Sequence, residues 1–337
     1  MNIRDLAKHL NISIGTVSRA LNGRPYVDPD TRARVLAAAA EFGYTPSFAG
    51  RSLREGTTGM VAFMLPTREA ILVADTIFMV VIEGLRRFFL GQKLDLLILL
   101  AEPDSADFSY LRRVADRGLV DGVIIADIQV QDPRIDYLMQ KKLPFVAYGR
   151  SQTQESYSWI DFDMEGVARI AVERLVRQGH RRIALATLAT DVNYGSLTEI
   201  EYRETLVRLG LGVDENMIVR VEPNEQGGYV VGDRWLQMEP RPTAILLANE
   251  LMAIGLYKRL AEAGLAAGRD VAVLAIIEEP LARLLRPQVT RFSTDLQGLG
   301  FRLGEALLQA MRESDKPPVQ ELWPMYLTVG DSDSLRP

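Results

Sequence analysis

From residue 60 onward the chain repeats one pattern: a short aliphatic run, an amphipathic stretch, then another aliphatic run. The runs are MVAFML (60–65), LDLLILL (94–100), VDGVIIA (120–126) and PFVAYG (144–149). A second set follows: RIALAT (182–187), MIVRV (217–221), TAILLA (243–248), DVAVLAI (270–276) and TRFS (290–293). Runs this short and this continuously apolar are strands buried on both faces, and the helical spacers between them make the sheets parallel. Two sets imply two doubly wound lobes, which bind ligands outside the carboxyl ends of their strands. A cleft between the lobes is therefore expected, and Asp127 and Asn193, each just past a strand end, become candidate ligand contacts.

The first 54 residues do not follow this pattern, and their charge differs as well. They hold eight Lys and Arg against four acids, +4, so of the overall −5 the remainder carries −9. That asymmetry suits a small basic module facing a polyanion beside a larger acidic body. The chain has no cysteine and only two histidines, His9 and His180, so it has no disulfide framework, no thiolate metal site and few general bases. The start MNIRDLAKHL carries charge and no apolar segment of a secretion signal, and no uninterrupted apolar run reaches membrane-spanning length. A cytoplasmic protein without cofactor or metal is expected.

Three helices are legible in the basic module. The first covers residues 3–10, with Asn2 as N-cap and Leu6, Ala7 and Leu10 on its apolar face. The second starts after Ser13 and ends at Asn22 and Gly23, with Val17 and Leu21 on one face. The third opens on Asp28-Pro29, closes at Gly43 and buries Val35, Leu36, Ala39 and Phe42. Helix, short turn, helix and a supporting helix is the helix-turn-helix spacing, in which residues near the start of the second helix reach base edges. Gly15 stands near that start, where a missing side chain permits close approach to DNA. Ile14 offers an apolar contact to a thymine methyl, and Arg19 is the long donor for a guanine. Asn2, Ser13, Thr16, Ser18, Asn22 and Tyr26 have the chemistry to hold phosphates. The segment SFAGRSLR (47–54) is too short to be helical unless braced.

TVSRALNG (16–23), VDPDTRARVLAAAAEFGYTPS (27–47) and RSLR (51–54) closely resemble the LacI/GalR family of transcription regulators. The resemblance continues more loosely in EGL (83–85), VDGVII (120–125), GHRRIALAT (179–187), RPTAILLAN (241–249) and DLQGLGFRLGEALL (295–308). It implies an all-α helix-turn-helix headpiece over 1–46, a hinge helix and linker over 47–58, and a periplasmic-binding-protein-like α/β core over 59–337. Within that core the first lobe covers about 59–150 plus 296–320 and the second about 158–293 plus 321–330. The implied function is a repressor: a homodimer on a near-palindromic double-stranded operator, with paired hinge helices in the minor groove. Leu53 would be the wedge that unstacks the central step, a cost of a few kcal/mol offset by added wrapping contacts. Operator affinity would answer allosterically to a small molecule between the lobes, a sugar, polyol or sugar conjugate.

Carried over one position at a time, the resemblance adds Phe78, Arg150, Asp163 and Asn249 to the ligand candidates. Three positions depart from the family pattern. Thr198 replaces an arginine four residues before Tyr202, the stretch 275–278 reads AIIE where GYDD is usual, and Glu250 follows Asn249 where aspartate is usual. No phosphate-binding loop, His-Glu-x-x-His pair or nucleophile elbow is present, and GLGFRLG (298–304) lies in a helical period. His180 falls in a turn and is expected to be structural. A sugar-transforming enzyme with a fused DNA module and a plain solute-binding protein are the alternatives. The end SDSLRP holds no heptad tail, which favours a dimer over a tetramer.

Overall fold

A computed structural model describes residues 2–21, 23, 25–44, 56–66, 76–101, 108–153, 156–277, 280–313 and 315–333. The chain divides into two compact units, Met1–Gly59 and Met60–Pro337.

The first unit contains α1 (Ile3–Leu10), α2 (Ile14–Leu21) and α3 (Pro29–Glu41). Each start is fixed by a short polar side chain that satisfies otherwise unpaired amides. The Asn2 carboxamide accepts from the Arg4 and Asp5 amides at 2.8 and 3.1 Å, and the Asp5 carboxylate accepts from the Asn2 amide at 2.9 Å. Ser13 Oγ accepts from the Thr16 amide at 3.1 Å, and Asp28 accepts from the Thr31 amide at 2.9 Å ahead of Pro29. Leu6, Ala7, Val17, Ala20, Val35, Ala38 and Ala39 form the core, with Leu10, Leu21 and Phe42 packed at its margin. Leu36, expected in that core, is 49% exposed. The buried stripe runs 35, 38, 39, 42, and at about 100° per residue position 36 turns away from it.

The second unit contains two six-stranded sheets. The first is built from β1 (Met60–Pro66), β2 (Asp95–Ala101), β3 (Gly122–Ile125), β4 (Phe145–Tyr148), β5 (Trp159–Phe162) and the late strand β11 (Gln320–Trp323), in the order β11-β5-β4-β3-β1-β2, all parallel. The second contains β6 (Ile183–Leu188), β7 (Ile218–Val221), β8 (Ala244–Asn249), β9 (Ala272–Ile277), β10 (Thr290–Ser293) and β12 (Tyr326–Thr328), in the order β12-β10-β9-β8-β6-β7. All nine strands expected from the aliphatic runs are present. The parallel sheets expected are found with one exception, since β12 joins the second antiparallel to β10. Among the described residues no helix is long and apolar enough to cross a membrane.

Three short strands were not legible, and they move the lobe limits. The family resemblance assigns about 158–293 and 321–330 to the second lobe, whereas the pairing gives Trp159–Phe162 and 321–323 to the first. Asp161 interrupts the apolar run of β5, and β11 is a half-exposed edge strand reading QELW, so neither carries the aliphatic signal of a central strand. The chain accordingly passes between the lobes at Asp163, at 294–295 and at 324–325. Two of these passages are tied: Thr294 Oγ1 donates to the Pro324 carbonyl at 2.7 Å and Trp323 Nε1 to the Asp295 carbonyl at 3.2 Å.

The helices bracketing the first sheet include α4 (Thr76–Gln92), α5 (Ser109–Asp116) and α6 (Pro133–Lys141); α7 (Met164–Arg177), α8 (Asn193–Arg208), α9 (Glu225–Gln237) and α10 (Leu251–Glu262) belong to the second lobe. The last, α11 (Leu296–Arg312), returns to pack on α4. Gly300 and Gly304 of GLGFRLG lie inside α11 and form a packing seam with α4. A Cβ at Gly84 would stand 2.2 Å from the Gln297 carbonyl oxygen, and one at Gly300 would stand 2.1 Å from that of Val81. Both obstacles are backbone, so neither can rotate aside. Gly84→Ala is therefore expected to cost at least the roughly 1–3 kcal/mol of core overpacking. Gly91→Ala, on the same helix in open space, is expected to be neutral or to gain up to about 1 kcal/mol. Urea unfolding of the two variants distinguishes them, and equal stabilities would contradict the seam.

Candidate DNA interface and ligand cleft

In the first unit Val17 and Ala20 hold α2 to the core, which leaves Ser13, Ile14, Gly15 and Arg19 on its exposed side. Thr16 and Ser18 are half-buried. Ile14 is 45% exposed although it is aliphatic, so burial in the module does not account for it. Gly15 is similar: the nearest atom to an added Cβ is Ser13 Oγ at 3.7 Å, so the fold itself has room for alanine there. Arg19 Nε donates to the Gly15 carbonyl at 3.2 Å, which seats the guanidinium along the helix and leaves its two terminal nitrogens for a bidentate contact. Asn2 is occupied as the α1 cap but exposed, and Tyr26 stands almost wholly in solvent at a left-handed φ of 71°. Asn22, Leu53 and the expected hinge helix lie outside the described residues.

The second unit contains a cleft lined by apolar rings and a few convergent polar groups, the make-up common to small-molecule sites. Its walls are the carboxyl ends of both sheets. The first lobe gives Phe78 from the start of α4, Asp127 after β3, Tyr148 and Arg150 at the end of β4, and Asp161 and Phe162 on β5. The second gives Asn193 and Tyr194 at the start of α8, Asn249 at the end of β8 and Ile277 at the end of β9. Five of the six nominated residues, Phe78, Asp127, Arg150, Asn193 and Asn249, thus meet at one cavity. Asp163 does not line it; its Oδ1 accepts from the Gly166 amide at 2.9 Å and caps α7. Thr198, at a departure from the family pattern, is fully buried and donates to the Tyr194 carbonyl at 2.7 Å, away from the cleft.

The lobes meet across this cleft through the main chain. Val130 N donates to the Asp191 carbonyl at 2.9 Å and Asn193 N to the Ile128 carbonyl at 2.8 Å, an antiparallel bridge between Gln129 and Val192. Asn193 adds a side-chain bond, its Nδ2 donating to the Arg150 carbonyl at 2.6 Å. The Arg150 guanidinium serves two carboxylates: Nε donates to Asp161 Oδ2 at 3.0 Å, and Nη2 donates to Glu165 on the first turn of α7. Four rings, Phe78, Tyr148, Phe162 and Tyr194, supply the apolar wall, with Phe78 and Tyr148 edge to face at 6.1 Å.

Asp161 was not nominated from sequence, although an acid inside the apolar WIDF run is a signal that it serves a site. It is 6% exposed, and burial pushes its carboxyl up to about 7 despite Arg150 and the Phe162 amide, which donates to Oδ1 at 2.8 Å. Burial is the largest cause, and the nearby Glu165 pushes in the same direction. His180, 1% exposed, sits between α7 and β6 with Nδ1 2.9 Å from Thr243 Oγ1, and burial lowers its pKa. It is far from the cleft lining and structural, as its place in a turn suggests.

An exposed second helix on a basic three-helix module, followed by two doubly wound lobes around a polar cleft, is the architecture of a DNA-binding regulator. Comparison with known proteins agrees. Residues 2–47 match the bacterial regulatory proteins of the lacI family, and residues 156–332 match a periplasmic binding protein-like domain. The chain is 31% identical to the HTH-type transcriptional regulator AglR of Rhizobium meliloti (strain 1021), covering 100% of this chain and 95% of that one. Among solved structures it is similar to a transcriptional regulator CelR-cellobiose complex, with TM-score 0.75 and 25% identity over 98% of this chain and 99% of that one. The lac repressor dimer bound to operator and the anti-inducer ONPF shares the fold, with TM-score 0.86 and 22% identity over 99% of each chain. The chain belongs to the LacI family of bacterial regulatory proteins.

Two outcomes follow from these sites. A carboxyl at about 7 in the native chain, against its ordinary 3.8, keeps its proton where the unfolded chain has lost it, so its contribution grows unfavourable as pH rises from about 4 to about 7. Asp161→Asn should therefore gain stability relative to the wild type across that window in urea melts, and a pH-independent difference would count against the assignment. At α2, Gly15→Ala should leave stability unchanged or raised by up to about 1 kcal/mol. The same variant should bind a duplex selected by the wild type at least tenfold more weakly; full affinity would rule out close approach at Gly15.

Proposed function

We propose that this chain is a sequence-specific transcriptional repressor whose operator affinity is set by a sugar, polyol or sugar conjugate held between the two lobes of its core. The observation that carries this reading is the convergence of five nominated side chains, three from the family resemblance and two from strand ends, on one cavity with aromatic walls. Ring faces pack against the C–H faces of a sugar, while Asn, Asp and Arg orient its hydroxyls. The cellobiose-bound relative, aligned over nearly the whole chain, supports the same ligand class. Reading of DNA falls to Arg19 and Ile14 on α2, with Leu53 as the minor-groove wedge and Asn2, Ser13, Thr16, Ser18, Asn22 and Tyr26 on the backbone. The protein works in the cytoplasm by binding alone, without turnover of its ligand.

Self-association supports a palindromic target. Met79 and Leu90 on α4 and Ile98 and Leu100 on the edge strand β2 are large, apolar and exposed, with Leu90 at 72%. Among the described residues β2 pairs on one side only, and an edge flanked by such residues is a surface that a second copy of this chain covers.

Selection of bound duplexes from a random library, followed by titrations at several salt concentrations, tests the whole reading. The expected result is a near-palindromic site, affinity that falls steeply with salt through counterion release, and a shift in that affinity when a sugar is added. Arg19→Ala should flatten the preference at one position of each half-site by about 1–3 kcal/mol. The absence of any specific duplex affinity would overturn the reading in favour of an enzyme or solute binder.

A further inference from the structure

Asp161 lies where an ionised carboxylate is poorly supported. It lines the cavity from β5, 6% exposed, and its Oδ1 is held by the Phe162 amide at 2.8 Å. Its Oδ2 accepts from Arg150 Nε at 3.0 Å, but the same guanidinium also donates to Glu165 on the first turn of α7. Arg150 is the one cation among the described residues lining the cavity, so a single positive charge faces two acids. The other ionisable groups around Asp161 do not relieve this. Asp127 adds a third carboxyl from the end of β3, and Asp163 is engaged as the cap of α7. On β11, Leu322 stands opposite Asp161 in register, and the adjacent Glu321 is paired with Arg302 of α11. Tyr148 and Tyr157 supply phenols, and burial raises the pKa of Tyr157, whose oxygen accepts from the Ser151 amide.

The far side of the cavity comes from the other lobe. Asn193 and Tyr194 line it there, and Asn193 Nδ2 donates to the carbonyl of Arg150, the residue that holds Asp161. The main-chain bridge through Val130 and Asn193 fastens the two walls at the cavity edge. With the walls together, burial pushes the Asp161 carboxyl up to about 7. Water admitted between the walls solvates the carboxylate and returns it toward its ordinary 3.8.

We propose that Asp161 is a proton-operated latch on the cleft: closing the lobes over it takes up one proton, so acidification holds the cleft shut and alkalinisation loosens it. A carboxyl protonated below about 7 when the walls are together, and only below about 3.8 when they are apart, favours the closed state progressively as pH falls between those values. The contribution is complete below the lower value and is lost as pH rises through the upper one. The latch does not depend on what fills the cleft. A ligand enclosed by both walls favours the same closed state as the proton, so effector affinity rises on acidification; that consequence alone rests on the reading of the cleft as the effector site.

Amide hydrogen exchange of the full-length, ligand-free protein tests the latch, with rates at Val130 and Asn193 corrected for the intrinsic pH dependence of exchange. In the wild type both amides should be about tenfold better protected at pH 6 than at pH 8, the ratio that a carboxyl at about 7 in the closed state and 3.8 in the open state produces. Asp161→Asn should show equal protection at the two pH values. Glu165→Gln, which leaves the guanidinium to Asp161, should move the transition to lower pH. Equal protection at both pH values in the wild type, or a pH dependence that survives in Asp161→Asn, overturns the proposal. So does exchange that accelerates with urea as steeply as at the Leu246 amide inside β8, because that marks unfolding of the whole unit instead of opening of the lobes. A transition that stays in place in Glu165→Gln overturns the sharing of Arg150 as its cause.

Discussion

The two lobes of the core meet through a main-chain bridge, Val130 to Asp191 and Asn193 to Ile128, at the edge of the cavity. Each lobe alone presents only the carboxyl ends of one sheet, an open polar rim. Brought together, the rims enclose aromatic rings from both sides and remove Asn193 and Asp161 from water. A backbone bridge is nearly indifferent to side-chain identity, so it fixes the spacing of the walls while leaving their chemistry to vary. The chain passes between lobes three times, and Thr294 and Trp323 tie two of those passages to each other. Closure of a hinged pair on a ligand is the kind of two-state element whose bias a ligand can shift.

Arg150 is the second organising residue. Its carbonyl receives Asn193 from the second lobe, and its guanidinium reaches Asp161 on β5 and Glu165 on α7. It therefore links the end of β4, the neighbouring strand and the helix that begins the crossing. In this partly buried cluster one cation is shared between two carboxylates. Asp161 shows the tension directly, with its carboxyl lifted to about 7 beside a cation.

The sequence was legible where physics is local or periodic. Helix starts at Asn2, Ser13 and Asp28 need only a short polar side chain before an apolar stripe, and all three form as expected. The nine aliphatic strands declare themselves because burial on both faces forces continuous Val, Ile and Leu. β5, β11 and β12 were hidden for the converse reason: edge position and an internal acid remove that signal. Asp127 and Asn193 could be placed because strand ends converge by topology, and Phe78, Arg150 and Asn249 because the family resemblance carried them over. Asp161 and the pairing of Arg150 with Glu165 could not, since register across β4 and β5 decides them. Asp163 looked like a site residue from its place after the crossing and serves as a helix cap. Leu36 illustrates a smaller limit, in which one residue of phase separates a buried face from an exposed one.

The claim that ligand binding and lobe closure are one event is tested most directly by amide hydrogen exchange at Val130 and Asn193, the two donors of the cross-cleft bridge. The account predicts that a bound sugar slows exchange at both amides together, because occupancy of the cavity disfavours the open state in which both bonds are broken. Unchanged exchange at these two positions under saturating ligand would contradict it.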